Sequence, residues 1–233
     1  MTMEENVLRV RRQIEEAARR AGRDPAEILL VGASKTMPAE SVRRAVRAGV
    51  RALGENRVQE MLEKLREGAY DGAELHFIGH LQSNKIRQIV GKVFLIESVD
   101  SLEKLREIHR QAEKLGIVQA VLIEVNIGGE ASKSGVPPAD LDALLEAASP
   151  LKSISVEGLM AIPPQAESPG ETRQYFEAMR KLFVDISRNP YDNNNIKYLS
   201  MGMSGDFMEA IEAGSNLVRV GTAIFGSRYQ IHF

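Results

Sequence analysis

Eight short runs rich in Val, Ile and Leu recur along the chain, alternating with segments of helical periodicity. They are "ILLVGASK" (28–35), "RALGEN" (51–56), "ELHFIG" (74–79), "KVFLIESV" (92–99), "VQAVLIEVN" (118–126), "SISVEGLMAI" (153–162), "IKYLSMG" (196–202) and "LVRVGTAIFG" (217–226). Runs this apolar suit strands covered on both faces, as in a parallel sheet flanked by helices. The segments between them include "PAESVRRAVRAGV", "VQEMLEKLREGA", "SLEKLREIHRQAEKLG", "PADLDALLEAAS", "SPGETRQYFEAMRKLFVDIS" and "GDFMEAIEAG". Several open on Ser, Asp or Pro and close near Gly, the residues that start and stop helices.

Eight strand–helix units in 233 residues predict an α/β fold, a single (β/α)8 TIM barrel spanning residues 1–233 as one domain. A doubly wound open sheet is the main rival. An extra N-terminal helix is read from "MTMEENVLRVRRQIEEAARRAGR", where Val7, Val10, Ile14, Ala17 and Ala18 share one face. "NPYDNNN" (189–195) reads as an exposed turn.

A net charge of −2 provides no field to draw the chain to nucleic acid or anionic lipid. The lack of cysteine excludes disulfides, thiolate catalysis and cysteine-ligated metal, and suits a reducing cytosol. The N-terminal stretch has no apolar signal core, and no segment approaches the ~18 uninterrupted apolar residues of a membrane span. The expectation is a soluble, cytoplasmic protein with neither nucleic acid nor membrane as partner. Monomer and homodimer both stay open.

In a barrel, the strand C-termini and the loops after them build the active face. Here those ends are polar or small: Lys35, then Glu55 and Asn56, His80 and Gln82, Ser98, Asn126, Ser200–Ser204, and Gly221 with Thr222. Lys35 has the parity of Val31 and Ala33, so it points into the barrel mouth. A partly desolvated lysine has a lowered amine pKa and forms Schiff bases with aldehydes. A rim lysine, paired with Glu55 or simply solvated, is the alternative. Arg219 has the parity of Leu217 and Gly221 and faces inward at mid-strand. It is either half of an ion pair with a core carboxylate such as Glu124 or Glu157, or a donor to a heteroaromatic nitrogen or an anion.

"SMGMSGDF" (200–207) and "RVGTAIFG" (219–226) place Gly, Ser and Thr after the last two strands. Such turns hold phosphate through backbone N–H groups and hydroxyls, although plain connections use the same residues. His76 and His80 lie four apart, but the first is in a strand and the second in a loop, which argues against a shared metal. Lys133, in the loop "GGEASKSG" (128–135), is read as solvated. No Walker-type loop, nucleophile elbow or dinucleotide fingerprint is present.

Taken in order, "VGASKTMP", "GENRVQE", "HFIGHLQSNK", "EVNIGGEASKSG" and "LSMGMSGDFMEAIEAGSNLVRVGTAIFG" closely resemble the pyridoxal-phosphate homeostasis proteins, also called YggS-like or proline-synthetase-associated. The resemblance runs from Leu29 to Arg228. It implies a barrel like the N-terminal domain of alanine racemase, carrying pyridoxal 5′-phosphate (PLP). Carried over by position, Lys35 would form the covalent aldimine, and Asn56 would approach the ring or its 3′-oxygen. Ser200, Ser204, Gly221 and Thr222 would surround the phosphate, Arg219 would face the pyridine nitrogen, and Ile78 and Met201 would be apolar neighbours of the ring.

An arginine at that nitrogen disfavours its protonation, because adjacent positive charges repel. The ring is then a poor electron sink. The resemblance therefore implies a PLP carrier in vitamin B6 homeostasis, handing cofactor transiently to apo-enzymes and not an efficient enzyme. Two alternatives remain: a PLP-dependent amino-acid racemase with His80 or Lys133 as second base, and a cofactor-free aldolase acting through Lys35.

Overall fold

The computed structural model describes residues 2–130, 133–164, 170–188 and 193–226. Its strands are β1 (Leu29–Ala33), β2 (Ala52–Glu55), β3 (Glu74–Phe77), β4 (Leu95–Val99), β5 (Gln119–Glu124), β6 (Ile154–Met160), β7 (Asn194–Ser200) and β8 (Leu217–Val220). All pair in parallel with their sequence neighbours, and β8 pairs with β1. The barrel is closed, which removes the open-sheet alternative. Helices α1 (Met3–Arg20), α2 (Ala39–Arg47), α3 (Val58–Arg66), α4 (Ile86–Ile89), α5 (Leu102–Leu115), α6 (Leu141–Ala148), α7 (Glu171–Ser187), α8 (Phe207–Glu212) and α9 (Thr222–Phe225) complete it.

Alternation along the strands divides the core in two. Val31, Ala52, Leu95, Leu122, Met160 and Leu217 fill the barrel interior. Leu53, Phe77, Ile96, Val121, Leu199 and Val218 face outward against the helices. At β6 the pairing with β7 shifts register at Gly158 (φ 148°), where a Cβ would stand 1.8 Å from the Tyr198 carbonyl oxygen. Only glycine fits that bulge.

The expected N-terminal helix is α1, started by a capping box in which the Glu5 N–H donates to Thr2 Oγ1 and the Thr2 N–H to Glu5 Oε2. Val7, Val10, Ile14, Ala17 and Ala18 are its buried face. Polar ties fix it near the barrel's seam: Asn6 Nδ2 donates to the Ile224 carbonyl at 3.1 Å and Arg9 Nη2 to the Ala223 carbonyl at 3.1 Å.

Two local expectations differ. Asn194 and Asn195 belong to β7, because β6 is seven residues long and Val156 pairs with Asn194. Asn193 is buried, its amide donating to the Ala148 carbonyl at 2.8 Å, so this end of "NPYDNNN" is no exposed turn; 189–192 lie outside the described residues. Strand β1 also ends at Ala33, which puts Lys35 in the turn beyond it. Among the described residues, no helix is long and apolar enough to cross a membrane.

Candidate functional site

The turn carrying half-buried Lys35 is clamped from the outer side of the sheet. The Ser34 N–H donates to the Gly54 carbonyl at 3.0 Å, and its hydroxyl to Glu55 Oε1 at 2.6 Å. Lys64 Nζ, reaching up from α3, donates to the Ser34 carbonyl, to Glu55 Oε1 and to Glu60 Oε1, at 2.8, 2.7 and 2.6 Å. The Thr36 N–H donates to Glu60 Oε1 at 2.5 Å. Thr36 has φ 66°, a left-handed backbone that a β-branched residue adopts only when its surroundings impose it. Lys35 thus stands between two residues whose backbones answer to the same ion cluster.

Burial pushes the Glu55 carboxyl pKa up, with Lys64 pulling against it. Tyr70, whose hydroxyl donates to Glu55 Oε1 at 3.1 Å, has its own pKa raised by burial and by that carboxylate. Glu55 Oε1 is thus taken by Lys64, Ser34 and Tyr70.

Arg219, 4% exposed, enters the barrel interior from β8, level with Val31 of β1. Its Nη2 donates to the Ala161 carbonyl at 2.9 Å, and its Nη1 donates to the Ser200 hydroxyl. Ser200 Oγ in turn donates to Glu97 Oε2 at 2.6 Å, which itself lies 3.8 Å from Arg219 Nη1. On the neighbouring strand β3, His76 Nδ1 lies 2.7 Å from Glu97 Oε1. Burial disfavours the Glu97 anion, but His76, Arg219 and Ser200 together hold its pKa below the usual range.

The expected ion-pair partner of Arg219 is thus neither Glu124 nor Glu157. Glu97 takes that place, and Glu157 pairs with Lys197 at 3.0 Å. Ser200 also departs from its expected phosphate role, since its hydroxyl is fully buried between Glu97 and Arg219. Glu124, at the end of β5, is pushed up to about 7 by burial and by Asp100, against the pull of Arg219. His76 and Glu97 carried a readable signal, charged or titratable groups at inward parity in otherwise apolar runs, but the sequence did not pair them.

The other expected residues divide. Asn56 follows β2, and its buried Oδ1 has no hydrogen-bond partner. Ile78 lies inside the barrel: a Cβ on inward Gly54 would stand 2.6 Å from Ile78 Cδ1 and 3.0 Å from Val31 Cγ1. Ser204 Oγ accepts from the Gly221 N–H at 3.1 Å and the Ala223 N–H at 3.4 Å, so the last two loops meet where Thr222 begins α9. Met201 faces the other way. Alternation from inward Ser200 sends its side chain toward the outer core between sheet and helices.

His80 Nδ1 lies 2.8 Å from the Ser134 hydroxyl, and Lys133 pairs with Glu130 at 2.5 Å. Among the described residues no cluster of His, Cys, Asp and Glu is arranged to hold a metal. A cavity of about 1000 Å³ opens at the opposite, N-terminal end of the barrel, among Arg11, Glu27, Leu29, Arg51, Glu74 and Tyr198.

In sequence and fold the chain is similar to known proteins. The family profile "Alanine racemase, N-terminal domain" matches residues 6–229. A curated pyridoxal phosphate homeostasis protein of Aquifex aeolicus is 46% identical over 224 residues, covering 96% of this chain and 97% of that one. PipY of Synechococcus elongatus, solved with PLP bound, is 33% identical with TM-score 0.84, over 97% of this chain and 100% of that one. Alanine racemase of Streptomyces lavendulae, at 18% identity, shares the fold with TM-score 0.75 over 97% of this chain and 57% of its own.

Proposed function

Because this chain belongs to the pyridoxal phosphate homeostasis proteins, in the alanine racemase N-terminal domain family, we propose that it holds pyridoxal 5′-phosphate at the C-terminal mouth of its barrel. It acts as one domain in the cytoplasm, keeping the cofactor in reserve and passing it to apo-enzymes. One observation carries the reading. A buried guanidinium, Arg219, lies level with Val31 on the adjoining strand, and the turn after that strand presents Lys35.

The residues present suit the group. Lys35 would hold the group through its amine, where an aldehyde would supply a covalent link that water can reverse. Asn56 offers an acceptor with no partner of its own. Gly221 and Ala223 donate their N–H groups to Ser204 Oγ, which leaves the Ser204 hydroxyl proton to donate to a phosphate at this corner. Arg219, held by the Ala161 carbonyl and Ser200, keeps a positive charge where a ring nitrogen would be protonated. PLP supplies a reversible aldehyde and an electron-withdrawing ring; the arginine leaves the first intact and blunts the second.

A second reading, an amino-acid racemase, is favoured by Glu124, whose carboxyl pKa burial and Asp100 push up to about 7 against the pull of Arg219. Two experiments separate them. PLP-loaded protein is mixed with an apo-aminotransferase, and alanine or serine is incubated with the loaded protein in deuterated water. The carrier reading expects restored aminotransferase activity and no deuterium at the α-carbon. Deuterium incorporation without transfer would establish the racemase.

A further inference from the structure

The proposed function leaves unexplained why a histidine and a glutamate, both fully buried, lie inside the barrel. They form one line of contacts across it. Glu74 Oε2 is 3.7 Å from His76 Nε2, an ion-pair and not a hydrogen-bond distance. His76 Nδ1 meets Glu97 Oε1, Glu97 Oε2 accepts from Ser200, and Ser200 accepts from Arg219. Glu74, 45% exposed, lines the hollow at the N-terminal end, so the line runs from solvent at one end to the proposed cofactor site at the other.

Chemistry fixes where the mobile proton sits. Nδ1–H donates to Glu97 in both protonation states, because that carboxylate is held as an anion. Nε2 has no hydrogen-bond partner and faces Glu74, so it is the atom that gains or loses the proton. Among the described residues, Glu74 and Glu97 are the charged groups acting on His76, and Tyr198 shares the hollow with Glu74. Phe94 stacks on the His76 ring at 5.8 Å, and the other charges bearing on Arg219 are Glu124 and Asp206.

We propose that His76 is a positioning residue whose proton, taken up at Nε2, is coupled through Glu97 and Ser200 to the charge at Arg219, and so to the cofactor ring. Only the ring part rests on the proposed PLP site. When His76 is a cation, Glu97 is shared between two positive partners, and Arg219's charge is less compensated. Coupling of this kind is reciprocal. Removing the charge at Arg219 raises the His76 pKa, and so does bringing an anionic ligand to the mouth. The pull of Glu74 and Glu97 against burial already sets that pKa above the ordinary histidine value.

The test is an NMR titration of the full chain, whose four histidines give few ring signals, with His76 assigned through His76→Gln. In the cofactor-free protein, Arg219→Met raises the His76 midpoint by about one pH unit, as expected for charges one carboxylate apart at an effective dielectric near 20. Arg219→Lys leaves it near wild type. In wild type, the Arg219 guanidinium signals move with the same midpoint, a readout that needs no variant to fold. An Arg219 signal indifferent to His76 protonation, or equal midpoints in wild type and Arg219→Met, would overturn the proposal. Added PLP raises the midpoint as well. If the coupling is present without PLP but PLP moves nothing, the ring part and the proposed site fail while the coupling stands.

Discussion

Lys64 and Glu55 meet at 2.7 Å on the outer side of β2, and both also hold Ser34, the residue before Lys35. The pair is nearly dry, with side chains 6% and 0% exposed. Removing one member strands the other, which costs about 3–5 kcal/mol at a buried site. Lys64→Met is therefore expected to lower unfolding stability by that order in urea titration. It also frees the Thr36 turn, so the yield of PLP bound to Lys35 falls at temperatures where the variant is still folded.

Glu124 makes the protein less stable as pH rises. Its folded pKa, about 7, lies above the ordinary carboxyl value, so between roughly pH 4.5 and 7 the native state binds more protons than the unfolded chain. Stability contributed by the protonated form is complete below that window and is lost as pH rises through it. Glu124→Gln removes the loss. Urea titrations at pH 5, 6, 7 and 8 should show the variant gaining on wild type with pH, by up to about 3 kcal/mol, and flattening above pH 8. A constant difference would show that Glu124 is an ordinary carboxylate.

Gly79 is where the end of β3 touches the turn carrying Asn56: a Cβ there would stand 2.2 Å from the Asn56 carbonyl oxygen. Backbone, not a flexible side chain, would have to move. Gly79→Ala is expected to destabilise by about 1–3 kcal/mol and to weaken PLP binding. Gly205→Ala, with nothing within 4 Å, should stay within about 0.5 kcal/mol of wild type.

Ser204 allows the phosphate corner to be tested without disturbing the lysine. Losing its hydroxyl leaves the Gly221 and Ala223 N–H groups unpaired in the free protein and removes a donor to the bound phosphate. Ser204→Ala should weaken PLP about tenfold, the scale of one hydrogen bond to a charged group, while pyridoxal, which lacks the phosphate, changes little. Equal losses for both would mean that Ser204 only shapes the loops.

The barrel was readable from the sequence because eight apolar runs and period-two alternation leave few other ways to bury both faces of each strand. The inward placement of Arg219 and Ile78 follows from the same parity. Parity does not name partners. Ser200 faces inward as its position requires, but its partner Glu97 is 103 residues away, and only closure of the sheet brings them together. Met201 came from a motif match, which does not say which way a neighbouring side chain turns. The Glu55–Lys64–Glu60 cluster was hidden for a different reason: Lys64 sits on a helix otherwise rich in charge, where a lysine ordinarily points to water.

The central claim is that Lys35 carries the cofactor, and the visible absorption spectrum tests it most directly. Purified wild type and Lys35→Ala are each mixed with PLP, recorded, reduced with borohydride and digested. The account predicts an imine band in wild type that borohydride abolishes, leaving a pyridoxyl group on the peptide containing Lys35, and no such band in the variant. Identical spectra, or a label on a different lysine, would contradict it.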